Sequence, residues 1–266
     1  MLKIALHIFI VSVLTLVTQI GGIIWILNFG FYKIKKSKKS RLLRTISFIV
    51  FYVIITLFII PRLAQVNNRT ALPFTKSSNL VPHNYLTPLL NRHYVKPALK
   101  ADLIDISNQM HSNNQHLKLS YLDANFPFLN GFPLLPHLSH NDGRKIDLSF
   151  YYTKRGTPGN LKPANMGYGK FVEPTATEFN QTEQCKAKGY WHYDYTKYLT
   201  LGTRDDLVFD SENTKSLILS ILQMTNTQKL LIEPHLKKRM KLTNDKIRFQ
   251  GCRAVRHDDH IHYQIN

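Results

Sequence analysis

The residues best equipped for chemistry lie at the end of the chain, in His257-Asp-Asp-His-Ile-His262. Side chains alternate along a strand, so a strand over Asp258 to Ile265 places His260, His262 and Gln264 on one face and Ile261, Tyr263 and Ile265 on the other. Two imidazoles two positions apart then project side by side, within reach of one ion, provided that a further ligand comes from elsewhere.

A second cluster supplies that ligand. In His137-Leu-Ser-His-Asn-Asp-Gly-Arg-Lys-Ile-Asp147, His140 precedes Asp147 by seven positions. A turn at Asn141-Asp-Gly143 lets the chain bring the imidazole back beside the carboxylate. Two imidazoles and one carboxylate with an open fourth position suit a hydrolytic zinc ion, which polarises a carbonyl and brings the pKa of a water toward neutrality. Each cluster alone is a weak signal, because the chain has 12 His; the combination is far more specific.

His-x6-Asp followed late in the chain by His-x-x-His-x-His resembles the penicillin-insensitive murein endopeptidases, within the group of lysostaphin-type, D-Ala-D-Ala-cleaving and hedgehog-like metallopeptidases. The resemblance takes in Ser139-His140, Gly143 and Asp147, the run Leu230-Leu-Ile-Glu-Pro-His-Leu-Lys237, and Arg256-His-Asp-Asp-His-Ile-His262, roughly residues 120 to 266. It implies His140, Asp147 and His262 as zinc ligands, with His260 beside the reacting water or the oxyanion and His257 as an additional active-site His. An acid three positions before the last ligand is the base in some relatives, and here that place holds Asp259. Strand alternation turns Asp259 away from His260 and His262, which favours a His as the base, His260 ahead of His257. His137 is expected as a partner that orients a ligand. The implied activity is hydrolysis of cross-links or stem peptides of peptidoglycan; the alternative is a non-catalytic sensor or scaffold of the same fold that binds zinc or wall peptide.

The elements that must position these residues read as α+β. Ala101 to Leu117 has helical spacing, Leu117 to Leu122 suits a strand, Phe126 to Leu138 is a loop broken by Pro and Gly, and Lys145 to Tyr152 alternates. Asp210 or Ser211 can cap a helix to about Met224, Lys229 to Ile232 suits a strand, and Pro234 can start a helical turn. A small antiparallel sheet flanked by helices is expected. The aromatic run Tyr190, Trp191, His192, Tyr193, Tyr195 and Tyr198 could flank a sugar-peptide substrate, but such clusters more often fill a core. Cys185 and Cys252 are too few for a disulfide scaffold or a four-Cys zinc site, and either one bridge or two buried thiols suits them.

The front of the chain differs. Ile4 to Tyr32 carries no Asp, Glu, Lys or Arg, and Thr45 to Ile60 is uncharged until Pro61; both have the character of membrane spans. The expectation is a two-helix transmembrane hairpin over residues 1–62, a linker over 63–100 and a zinc metallopeptidase-like domain over 101–266. Of 35 Lys and Arg against 17 Asp and Glu, nine basic residues and no acid fall in the first 62 positions. Seven lie between Lys33 and Arg44, a short loop of the kind kept on the cytoplasmic side. That puts both ends of the hairpin outward, makes the protein a multi-pass inner-membrane protein, and places the domain on the periplasmic side. The charge is mainly topological, and no recognisable nucleic-acid-binding module accompanies it; membrane and peptidoglycan peptides are the expected partners.

Overall fold

In the computed structural model, residues 2–34 and 40–266 are described. In chain order the elements are α1 (Leu2–Thr18), α2 (Gly21–Ile34), α3 (Ser40–Ile54), a π-turn (Ile55–Ile59), α4 (Ile60–Val66), β1 (Thr70–Ala71), β2 (Leu80–Pro82), α5 (Leu86–Leu89), β3 (Tyr94–Val95), α6 (Pro97–Asn113) and β4 (Leu119–Tyr121). Then follow β5 (Lys145–Ser149), β6 (Tyr152–Lys154), β7 (Thr157–Gly159), α7 (Gln181–Ala187), a 3₁₀ segment (Trp191–Leu199), β8 (Val208–Phe209), α8 (Ser211–Gln223), β9 (Thr227–Leu231), α9 (Pro234–Arg239), β10 (Ile247–Arg248) and β11 (His260–Ile265). Two compact units result: Met1–Leu72 with Leu86–Pro97 and Asp123–Gly143, and Pro73–Tyr85 with Ala98–Leu122 and Arg144–Asn266.

The first unit contains the apolar helices. The single spanning helix expected over Ile4 to Tyr32 is instead the antiparallel pair α1 and α2. The chain turns at Gln19, whose φ is +67°, and the Thr18 hydroxyl accepts from the Gly21 N–H at 2.8 Å, capping α2. A Cβ on Gly22 would stand 2.0 Å from Thr15 Oγ1, so the glycine permits this close approach. Farther along, Trp25 Nε1 donates to His7 Nδ1 at 3.2 Å. A run of apolar residues reports burial or lipid but not reversal, which is why the turn was not legible from composition.

Leu42–Val66 is one helix long and apolar enough to cross a membrane, and α1 and α2 are shorter apolar helices. Pro61 does not stop the helix as expected. It has no N–H to donate, and the turn ahead of it widens, the Ile60 N–H bonding to the Ile55 carbonyl. The centre of the basic run, residues 35–39, lies outside the described residues. In the same unit Ile20, Ile24, Tyr52, Ile60, Ala64 and Tyr94 form a buried cluster joined by Phe48, Ile55, Ala71 and Phe128. The stretch expected as a loosely packed linker is structured: β1 pairs antiparallel with β3, and Leu72, Leu80, Tyr94 and Val95 are buried.

The second unit is α+β. Its six-stranded sheet has the order β10-β9-β11-β5-β4-β2, antiparallel at the centre, where β11 lies between β5 and β9. The outer pairs β10/β9 and β2/β4 run parallel, so the antiparallel pairing expected holds at the centre of the sheet. Ile146, Leu148, Ile261 and Tyr263 are fully buried, and the Tyr263 hydroxyl donates to Asp102 of α6 at 3.0 Å. Leu103, Ile106 and Met110 of α6 and Leu217, Ile218 and Ile221 of α8 add buried apolar side chains. Asp210 caps α8 by accepting from the Asn213 N–H at 3.0 Å, as the sequence indicates.

Candidate metal centre

The strand pairing decides which polar side chains meet. In the β11/β5 register His262 stands opposite Asp147 and His260 opposite Ser149. Directly opposed residues of an antiparallel pair project to the same face, so the alternation of two separate segments converges on one buried carboxylate. Asp147, His260 and His262 are all buried. His262 Nδ1 lies 2.9 Å from Asp147 Oδ1, and because a carboxylate only accepts, Nδ1 is the protonated nitrogen. The Tyr168 hydroxyl donates to Asp147 Oδ2 at 2.9 Å. His260 Nε2 is 3.7 Å from Asp147 Oδ1, and the Tyr168 ring meets the His260 ring edge to face at 5.1 Å. His257 also belongs here, its ring centroid 5.0 Å from that of His260 and 6.0 Å from that of His262.

Asp259 does not turn away. β11 begins at His260, so Asp259 precedes the alternating stretch, and its Oδ1 holds His260 Nδ1 in a short hydrogen bond. Its Oδ2 accepts from the Gly169 N–H at 2.6 Å. Burial opposes a charge on His260, but Asp147 and Asp259 outweigh it and raise the imidazole to about 9. Behind the site, Glu233 is tied to the His257 segment in both directions. Its N–H donates to the His257 carbonyl at 3.0 Å, and its Oε1 accepts from the His257 N–H at 3.0 Å and from the Tyr193 hydroxyl at 2.7 Å. Burial raises the Glu233 carboxyl. Arg256, buried over the Phe171 ring, pairs with Asp258 and Glu173.

His140 is buried, with Nδ1 2.9 Å from the Ala124 carbonyl. A carbonyl can only accept, so in the neutral ring Nε2 carries the lone pair a metal would use, the usual orientation of a ligating imidazole. His137 Nε2 lies 3.8 Å from Asp123 Oδ2, and Arg92 pairs with the same carboxylate at 2.8 Å. Within the first unit the His137 and His140 rings lie 5.4 Å apart, centroid to centroid. Imidazoles such as these, and in the second unit the Asp147 carboxylate with His260 and His262, are donors of the kind that a divalent transition metal such as zinc takes.

The chain matches no known protein family and no curated protein.

Tyr168 was missed in the sequence. The signal available was Gly167-Tyr168-Gly169, a tyrosine between two glycines of positive φ, at +92° and +84°. A Cβ at Gly169 would stand 2.2 Å from the Thr196 carbonyl oxygen, so the loop can pass this close to the 3₁₀ segment only without a side chain there. The aromatic run does not simply fill a core. Tyr193 is buried, whereas Trp191 and Tyr198 are each 78% exposed.

Proposed function

We propose that this protein is a membrane-anchored zinc peptidase acting outside the cytoplasm on peptide cross-links or stem peptides of peptidoglycan, as the resemblance in its two motifs implies. The observation that carries the reading is the buried Asp147 carboxylate, placed opposite His262 by strand register and gripped by Tyr168. In this reading His140, Asp147 and His262 hold the ion, with His137 beside them as a further nitrogen donor. Zinc, when bound, supplies Lewis-acid activation of the amide carbonyl and of water.

The chain's own residues do the rest. Tyr168 fixes Asp147 through one oxygen, leaving the other toward His262 and His260. Asp259 holds His260 Nδ1 in a hydrogen bond, which orients the ring as a donor to the oxyanion of the attacked carbonyl and then to the leaving amine. This makes His260 the acid rather than the base expected of it, and gives the base's part to His257, packed against it: His257 takes the proton of the attacking water and returns it to His260 once His260 has protonated the amine. Glu233 positions His257 from behind.

Membrane attachment rests on Leu42–Val66, with the basic run on the cytoplasmic side. The Cys185–Cys252 disulfide supports an oxidising compartment for the chain beyond that helix.

The test is metal content of the purified full-length protein beside digestion of isolated peptidoglycan, for the parent and for His262→Ala. One zinc per chain with new muropeptides is expected. The variant should lose the metal and at least about 100-fold of the cleavage. A folded, metal-free parent would overturn the site, and stoichiometric zinc without cleavage would assign the fold to binding.

A further inference from the structure

Residues 126–138, Phe-Pro-Phe-Leu-Asn-Gly-Phe-Pro-Leu-Leu-Pro-His-Leu, carry no Asp, Glu, Lys or Arg in a chain of formal charge +18. Surface loops are ordinarily polar and solvated, yet here Leu129, Leu135 and Leu138 are 62%, 47% and 58% exposed. The loop is fastened to the apolar helices of its own unit. Phe128 packs on the cluster containing Ile20, Ile24, Tyr52 and Ile60, and its N–H donates to Gln19 Oε1 at 2.9 Å in the turn between α1 and α2. α5 approaches the same helices, the Tyr52 hydroxyl donating to the Leu89 carbonyl at 2.7 Å. Leu86 and Leu89 of α5 are exposed as well.

The level follows from the turn between α1 and α2. Ile20 beside that turn packs with Tyr52, near the middle of Leu42–Val66, and at 1.5 Å per residue about 21 Å of that helix continues beyond Tyr52 toward Val66. The loop and α5 therefore meet the apolar helices where α1 and α2 reverse, and the rest of the long helix continues past that level. On that part of the helix Phe58, Leu63 and Val66 are exposed, so apolar surface continues from the span onto the loop. Irregular backbone is excluded from the hydrocarbon core by the cost of unpaired N–H groups, which keeps this loop at its edge. Pro127, Pro133 and Pro136 have none, and Phe128, Gly131 and Leu138 donate to Gln19, Asn141 and Pro136. The arrangement suits the headgroup boundary, where exposed leucines reach the acyl chains and the backbone stays at the polar level.

We propose that loop 126–138 and α5 are seated in the membrane interface, so that the His137–His140 segment that ends the loop works at the bilayer surface on a substrate held in the same leaflet. That substrate is an amphiphile: a peptide at headgroup level carried on a lipid or another apolar anchor. The bond attacked rests on the peptidase reading; the seating of the loop does not.

The test uses the full-length chain in phosphatidylcholine/phosphatidylglycerol vesicles, with Trp25→Phe and Trp191→Phe removing the native tryptophans. Leu138→Trp and, separately, Leu129→Trp then report the loop, either folded variant sufficing. Lipids brominated high on the acyl chain should quench the reporter roughly two-fold or more, and aqueous iodide should have little effect. Quenching by iodide alone would overturn the seating. The parent is then offered one peptide in soluble form and acylated in the vesicles, and the acylated form should be cleaved on the order of ten-fold faster. Equal rates would overturn the substrate class. Bromolipid quenching without cleavage of either peptide would leave the seating standing and sink the peptidase reading.

Discussion

Gly143 shows how much one residue carries. Its φ is +82°, and a Cβ there would meet the Arg69 guanidinium at 2.4–2.8 Å. Arg69 is buried and donates to Asn130 Oδ1; burial, opposed by Asp142, lowers its pKa to about 10. The Gly143 N–H donates to Asn125 Oδ1 at 3.0 Å and its carbonyl accepts from the Lys96 N–H at 2.7 Å. Gly143→Ala therefore adds left-handed strain and displaces a buried cation. A loss of about 2 kcal/mol or more is expected, measured as a shift in the denaturation midpoint of the full-length protein. An unchanged midpoint would mean that Arg69 yields freely. A glycine between His140 and Asp147 was visible in the sequence, but the arginine beneath it comes from 74 positions upstream and was not.

At the scale of elements, the Cys185–Cys252 bridge ties α7 to the segment that enters His257, across 67 positions. Closing a loop of that length restricts the unfolded chain by about 4 kcal/mol. Cys252→Ser, or reduction, should lower stability by roughly 2–5 kcal/mol and leave the β5/β11 pairing intact. Thermal unfolding with and without reductant checks the first part. Zinc content of the folded variant checks the second, and loss of metal before unfolding would show that the bridge also shapes the site. Two cysteines admitted either a bond or two thiols from sequence; their juxtaposition in the fold settles the choice.

For the whole molecule, the turn at Gln19 changes the expected topology. A single span over Ile4 to Tyr32 would put the chain start opposite the basic run, whereas the antiparallel α1 and α2 bring Leu2 and Ile34 to the same end. An amino-terminal tag on the full-length protein should thus be protected from external protease in spheroplasts and cut in inverted vesicles. Digestion of the tag in intact spheroplasts would restore the single span. Gly22→Leu is a companion variant that should disrupt the pair, because Thr15 leaves no room for a larger side chain.

The sequence by itself determined the local patterns. Alternation in Lys145–Ser149 and His260–Ile265 marks two strands, Asp210 or Ser211 is marked as the cap of α8, and Pro234 begins α9. These are near-neighbour effects of side-chain periodicity and backbone hydrogen bonding, so they are written in the order of residues. Only tertiary structure decided that His262 lies opposite Asp147, that Tyr168 reaches the same carboxylate and that Asp259 bonds His260. The same holds for the apolar front of the chain, which turns back at Gln19, and for Phe128, which joins it from more than a hundred positions away. Register and reversal are set by packing between distant segments, and no local periodicity records which partner a side chain will meet.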